Sequence, residues 1–408
     1  MAIIKTNWIK KFEKLYREIP MGEDDESDDI LSGEDVIDER YIELTPYEAG
    51  DKPDPEKEAG ETGDSSEQEK DTDEVRDLSN PGEETDESEK PESSEEAEQA
   101  EAAGVSARGR VVSRMISYIS NESSLGKSLK TGELRKKMTE PAWTVPAPFN
   151  MTDFDLENFS MKMLSSKDNP DLDHVILQLH GGGYMGAIRN AYYVFAGLYN
   201  EISHGMNVLC PDYRVAPEDP YPAALEDAFE SYMWLLKRGY KAENIILAGD
   251  SAGGGLCMAL CMYLRDNGHP LPMGIIAMSP WTDLTASGPS YEFNFDKDPL
   301  YGNTKESLIY INAYPGDHDK TDPYISPLYG SFKDFPPMLI QVGSHEMLLS
   351  DSESVAAKAR EEGVKVRLHV YEGMFHDFQM AYTAIPESKK AWAEAGKFIE
   401  IIMKKENL

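Results

Sequence analysis

The chain is poor in cysteine, poor in positive charge, and free of long apolar runs. Its three cysteines, Cys210, Cys257 and Cys261, cannot build a disulfide framework in 408 residues. Each lies in or beside an apolar stretch, so they read as small buried hydrophobes, and no metal site is expected from them. No apolar stretch reaches the roughly 18 residues that a membrane span requires. Forty lysines and arginines face 75 aspartates and glutamates, a formal charge of −35. That balance argues against nucleic acid or an anionic membrane as a general partner. Met1-Ala2-Ile3-Ile4 is followed by Lys5, Lys10, Lys11 and Lys14, where a secretion signal would need an uninterrupted apolar core. A cytoplasmic protein is therefore expected.

The charge deficit is local. Between Gly22 and Gly104 there are 34 acidic and 6 basic residues, net −28, which leaves −7 for the other 325 positions. This stretch is rich in Asp, Glu, Ser, Pro and Gly and offers too little apolar surface to offset the entropy of ordering it. Residues 21–104 are thus expected to be a disordered acidic segment. Ahead of it, Ile4, Trp8, Phe12, Leu15 and Ile19 recur at helical spacing among lysines, so residues 1–20 read as a basic amphipathic helix. Such a helix can dock on its own globular part or make weak contact with a membrane surface.

After about Val105 the pattern becomes globular. Val111, Met115, Ile116 and Ile119 sit at helical spacing, and Pro141, Pro146 and Pro148 then interrupt, so residues 105–152 are expected to form a helical cap region. Residues 153–408 are expected to form the main α/β domain. Strands are predicted at Phe159–Leu164, Val175–Leu179, Asn207–Cys210, Ile245–Ala248, Gly274–Met278, Met338–Val342 and Val366–Val370. Helices are predicted at Ala191–Ser203, Ala223–Arg238, Ala252–Asp266, Thr304–Ala313, Ser352–Glu362 and Glu387–Lys404. Near-continuous apolar strands separated by amphipathic helices define a mostly parallel sheet covered on both faces. Right-handed crossovers gather the C-terminal strand ends on one edge, where sites of this architecture lie.

Chemistry-bearing residues cluster at those predicted strand ends. The run from Ile245 to Ala248 leads into Gly249-Asp250-Ser251-Ala252-Gly253, a G-x-S-x-G pattern between strand and helix. Small residues flank the serine because side chains there would collide with neighbouring backbone, and the turn lifts Ser251 to the positive end of the next helix. Val175–Leu179 ends in His180-Gly181-Gly182-Gly183-Tyr184, whose adjacent glycines leave amides unshielded and suited to an oxyanion. His180 and Gly183 read as supporting that loop, with Asp250 supporting the serine turn. A serine needs a base, and the base needs an acid partner, expected downstream in the order acid then histidine. His269 and His369 read as structural, His318 as surface. His376 follows a strand in the loop Glu372-Gly373-Met374-Phe375 and is the base candidate. Glu346 and Asp351 are the acid candidates: Glu346 lies closer to the strand end, while Asp351 reads as a cap of the next helix, and His345 is a bystander. Arg214 and Asp212 read as fixing the loop beneath the site by ion pairing. Trp281 either walls an acyl pocket or fills space.

Together, His180-Gly181-Gly182-Gly183, Asp212-Tyr213-Arg214-Val215-Ala216-Pro217-Glu218, Gly249-Asp250-Ser251-Ala252-Gly253 and Gly373-Met374-Phe375-His376 resemble the hormone-sensitive-lipase-like family of α/β-hydrolase esterases. The resemblance runs from about Asp153 to the C-terminus. It implies an α/β-hydrolase fold with a helical N-terminal cap and a carboxylester hydrolase with Ser251 as nucleophile, His376 as base and Glu346 as acid. Many members carry Asp at the acid position, so Glu346 departs in chain length though not in charge. It further implies an oxyanion hole from the amides of Gly181, Gly182 and Ala252. The acidic segment has no counterpart in the family pattern.

The expected activity is hydrolysis of short-chain acyl esters through an acyl-enzyme, with a small-molecule ester as partner and no cofactor or metal. A homodimer is compatible with the sequence. Rival readings are an acyltransferase or peptidase on the same fold, or a non-catalytic ligand-binding or scaffold protein. The latter would be expected to lack His376.

Overall fold

The computed structural model describes residues 105–122, 140, 142–382 and 384–405. The expected helix at 1–20 and acidic segment at 21–104 lie outside the described residues, as does part of the 105–152 region. The described chain builds one sheet of eight strands in the order β1-β2-β4-β3-β5-β6-β7-β8. These are β1 Phe149–Asp155, β2 Ser160–Ser166, β3 Asp171–Leu179, β4 Met206–Asp212, β5 Ile245–Asp250, β6 Gly274–Met278, β7 Met338–Gly343 and β8 Val366–Tyr371. β1, β2 and β4 pair antiparallel, and β4, β3, β5, β6, β7 and β8 run parallel.

The parallel strands sit centrally because their side chains are apolar on both faces, and alternate residues feed two separate cores. Val175, Leu177, Leu179, Ile245 and Leu247 face helices α3 Ala223–Lys237 and α4 Ser251–Asp266. Ile176, Ile246, Ala248, Ile276 and Leu339 face the other way, onto α2 Asn190–Ile202 and α7 Pro386–Met403 through Phe195, Tyr199, Trp392 and Phe398. Cys210, Cys257 and Cys261 are buried free thiols within these layers. No described helix is long and apolar enough to cross a membrane.

Two elements depart from expectation. β1 was not foreseen because Phe149-Asn150-Met151-Thr152-Asp153-Phe154-Asp155 is largely exposed; its seven-residue register with β2 holds it, and backbone pairing leaves little side-chain signature. Thr304–Ala313, expected as a helix, is a series of turns. Thr304 Oγ1 accepts from the Glu306 amide (3.1 Å), and Asn312 Oδ1 accepts from the Tyr314 amide (2.7 Å) while its Nδ2 donates to Gly183 O (2.8 Å). Side chains that satisfy local backbone compete with the helix, and anchoring on the glycine loop decides the contest. A short helix, α5 Ser290–Phe293, lies in the preceding loop.

The predicted helical stretch after Val105 is present as α1 Ala107–Glu122. Val105 and Val112 pack with Tyr371, Met374, Phe375 and Phe378, so α1 lies against the loop that carries His376. Ser106 caps α1 by accepting from the Gly109 amide (2.9 Å). In a capping box a glutamate in the same helix would accept from the cap residue's own amide. Here Glu387, at the start of α7, does so, accepting from Ser106 N (2.7 Å) and Ser106 Oγ (3.0 Å). Glu387→Ala removes both bonds, and a charged acceptor of this kind contributes about 1.5–3 kcal/mol. Denaturant unfolding should show a loss in that range, with amide exchange at 107–110 accelerating first.

Candidate active site

The paired registers bring Asp250 level with Met278, Met278 level with Gln341, and Gly343 level with Tyr371. The C-terminal ends of β5, β6, β7 and β8 therefore share one edge, with the end of β3 beside β5, and the loops that carry the candidate residues hang from it. Ser251 opens α4 in the left-handed region, φ 51°. A non-glycine residue pays for that conformation, and the strain is held by close packing on both sides. A Cβ on Gly249 would lie 2.5 Å from Gly253 backbone, and one on Gly253 would lie 2.0 Å from Leu179 O. The spacing of small residues in the sequence thus reflects contact between two backbones.

Ser251 and His376 are 2% and 3% exposed, and their Oγ and Nε2 lie 2.9 Å apart. His376 Nδ1 is 2.9 Å from Glu346 Oε2. A carboxylate only accepts, so Nδ1 carries a proton. Glu346 Oε1 accepts from Ser279 Oγ (2.7 Å) and from the Gly343 amide. Burial raises the Glu346 carboxyl above its usual range, while the bonds from His376, Gly343 and Ser279 pull it down. For His376, burial works against the charged imidazole, but Asp377, Tyr301 and Glu346 prevail and hold it well above the ordinary histidine value.

Asp351 is not a helix cap. Helix α6, Leu349–Glu361, has Leu348 at its cap position, and Asp351 is turned inward instead. Its Oδ2 accepts from the amides of Thr282 and Asp283 (2.8 Å each) and its Oδ1 from Tyr291 OH (2.9 Å). Burial, with Asp283 nearby, pushes its carboxyl up to about 8. It braces the loop after β6 and does not reach His376.

The glycine loop meets one correction. The Gly181 amide, expected in the oxyanion hole, donates to Asp250 Oδ1 (3.1 Å), and a Cβ there would fall 2.2 Å from Asp250 Oδ2. A donor already engaged by a carboxylate is not available to an oxyanion. Among the described residues, the amides of Gly182, which turns with φ 112°, and of Gly183 have no acceptor, and Ala252 N lies in the first turn of α4, where no helical carbonyl reaches it. Among the described residues, the Gly182, Gly183 and Ala252 amides are therefore the open donors at this edge.

His180 is fully buried, with Nδ1 2.8 Å from Gly181 O and its ring stacked 4.0 Å from Tyr213. Burial lowers its pKa to about 4, so it stays neutral and fixes the loop. Arg214 pairs with Asp227 (2.7 Å) and Glu226 (3.2 Å) and not with Asp212, which accepts from the Ile188 amide (3.2 Å). Trp281 is core: it is 1% exposed and donates to Asp283 O (3.1 Å).

Several site residues carried no sequence signal. Ser279 receives the Asp377 amide (3.2 Å) while donating to Glu346, so it ties the acid loop to the histidine loop. Asn294 Nδ2 donates to Ser344 O and Glu346 O (2.8 Å each), and Asp298 accepts from the amides of Met347, Leu300 and Tyr301 (2.9, 2.8 and 2.9 Å). The Tyr301 ring centre lies 5.0 Å from that of His376. These are polar residues in an irregular stretch, and only the strand-edge position of Ser279 hinted at a role. Among the described residues, no group of three or more His, Cys, Asp or Glu is arranged to hold a metal.

Residues 176–380 match a family described as alpha/beta hydrolase fold. The chain is 36% identical over 225 residues to an esterase of Acinetobacter venetianus, covering 55% of this chain and 74% of that protein. It is likewise 36% identical over 225 residues to an acetyl-hydrolase of Streptomyces hygroscopicus, with the same coverage. A solved hormone-sensitive lipase from a metagenome library superposes with a TM-score of 0.64 at 32% identity, covering 72% of this chain and 98% of that one. Fold and relatives together define a carboxylic ester hydrolase. Within that class the chain belongs to the hormone-sensitive-lipase-like esterases of the α/β-hydrolase fold.

Ser279→Ala deletes the hydroxyl that bridges Glu346 and the histidine loop. Losing a buried bond to a charged group costs roughly 1.5–3 kcal/mol. Steady-state kinetics should show kcat lower by about 10- to 100-fold, with KM little changed.

Proposed function

We propose that the protein hydrolyses short-chain acyl esters through a covalent acyl-enzyme formed on Ser251. The observation that carries this reading is the continuous chain from Ser251 Oγ through His376 to Glu346, two contacts of 2.9 Å each between residues 125 and 30 positions apart in sequence. Neutral His376, with its proton on Nδ1, accepts the Ser251 proton at Nε2 as Oγ attacks the ester carbonyl. Glu346 steadies the resulting imidazolium. The negative charge that develops on the carbonyl oxygen is held by the amides of Gly182, Gly183 and Ala252, each worth roughly 3–4 kcal/mol if it behaves as measured donors do. The alcohol leaves with the Nε2 proton, and water, activated by the same base, releases the acid.

Support for a short acyl group comes from kinship with an acetyl-hydrolase. Tight packing points the same way, since Leu308 lies directly against Gly183 beside the donors. An acyl-length series of p-nitrophenyl esters should peak at acetate or butyrate, and a maximum at long chains would refute the short-chain assignment.

Ser251→Ala should lower kcat by about 10⁴-fold or more, as removal of a nucleophile does elsewhere. Full activity in that variant would end the proposal. Glu346→Ala and Asp351→Ala separate the two acid candidates: both strand buried donors and should lose stability, but only the first should lose kcat in the fraction that remains folded.

A further inference from the structure

Asp377 follows His376 in the chain and reaches back to it. It adopts the left-handed conformation, φ 55°, which returns its carboxylate toward the imidazole it follows. Oδ2 lies 3.1 Å from His376 Nε2, the nitrogen that also lies 2.9 Å from Ser251 Oγ. The side chain is only 14% exposed, and its other oxygen, Oδ1, is buried without a hydrogen-bond partner. Two carboxylates therefore flank one ring, Glu346 at Nδ1 and Asp377 at Nε2.

These contacts favour different states of the ring. Neutral imidazole protonated on Nδ1 turns a lone pair toward Asp377, and lone pair against carboxylate is repulsive. Protonated imidazole sets its positive charge 3.1 Å from that carboxylate, and the contact becomes an attractive ion pair. An Nε2 that keeps its proton beside Asp377 cannot accept the serine proton.

Among the described residues, the other ionisable groups facing the ring are engaged elsewhere or uncharged. From the loop after β7, Glu346 is bound by Gly343 and Ser279. From the end of β5, Asp250 accepts from Gly181 and Tyr192. From the loop after α5, Asp298 is satisfied by three amides, and Tyr301 is a phenol that burial pushes up to about 12. Tyr192, from α2, is likewise a buried phenol. Asp377 alone among these carboxylates turns an oxygen to Nε2.

We infer that Asp377 is a positioning residue that captures the Nε2 proton of His376, in competition with Ser251, and so sets the pH above which the hydrolase becomes active. This inference rests on the reading of Ser251 and His376 as nucleophile and base. The raised pKa of His376, to which Asp377 contributes more than Glu346, agrees with it in direction. The base form of a histidine raised in this way appears only above the raised value, so activity falls as pH drops through it. Removing the Asp377 charge moves that limb toward acid.

The test compares full-length wild type, Asp377→Asn and Asp377→Gly, both replacements being tolerant of the left-handed conformation. Two rates are followed from pH 5 to about pH 10: turnover of p-nitrophenyl acetate, and labelling of Ser251 by a fluorophosphonate. The wild-type limb is expected above the ordinary histidine value of about 6.5, and both variants should shift it down by about one pH unit or more, a tenfold gain in rate on the acid side. A purely structural role for Asp377 would change amplitude and leave the limb in place. Coincident limbs overturn the inference, and so does a wild-type limb at or below 6.5, a result that needs no variant to fold. Absence of labelling of wild-type Ser251 at every pH overturns the underlying reading and the inference with it.

Discussion

The site depends on one close approach of main chain to main chain. At the start of α4, Gly253 lies so near the end of β3 that any side chain would meet Leu179 O at 2.0 Å and His180 O at 2.6 Å. This contact fixes the serine turn against the glycine loop, and with it the distance from Ser251 Oγ to the open amides. The parallel pairing of β3 with β5, Leu179 opposite Gly249, supplies the register. A one-residue slip would exchange the two faces of the strand and dismantle both cores along with the site.

Around that contact the protein buries an unusual number of carboxyl groups. Asp250, Asp298, Glu346 and Asp351 are all almost fully removed from solvent. Burial of an unpartnered charge is prohibitive, so each is bound by amides or hydroxyls from a different loop. Asp351 holds the turn after β6, Asp298 holds the acid loop, and Glu346 gathers Gly343, Ser279 and His376. The loops at this edge carry little regular structure, and these carboxylates do the fixing that helices and strands do elsewhere. Asp377 differs from them, because among the described residues no amide or hydroxyl binds its side chain and one oxygen is left without a donor.

What could be read from sequence follows the same physics. β3 to β7 were legible because both faces are apolar, and the serine turn and glycine loop because steric demand leaves a pattern in residue types. His376 and Glu346 stand out by chain order and by their place after a strand, and the structure brings them to 2.9 Å of each other. β1 was not legible, since an edge ribbon is held by backbone bonds. The turns at 304–313 were missed because Asn312 answers to Gly183, 129 positions away. The engagement of the Gly181 amide is hidden for a related reason. Three glycines in a row do not say which amide is consumed, and the consumer, Asp250, is 69 positions distant. Ser279, Asn294 and Tyr301 act through geometry at loop ends, where residue type alone carries no mark.

The Asp250 contact also explains why an acid stands directly before Ser251. By taking the Gly181 amide, and being joined by Tyr192 OH at 3.2 Å, Asp250 pins the first glycine behind the serine turn. The chain must then reverse at Gly182 and Gly183, both at positive φ, which leaves their amides without internal acceptors. The loop is thus organised by spending one donor to orient the next two. Asn312 and Leu308 close it from the far side, through Gly183 O and the face of Gly183. The direction of these amide dipoles is thus set by the fold before anything binds. The same logic accounts for α1, whose Val105 packs against Gly373 and the loop leading to His376. Residues far from the chemistry in sequence hold the imidazole at its distance from Ser251, and the strained turn at Ser251 persists because both sides of it are fixed.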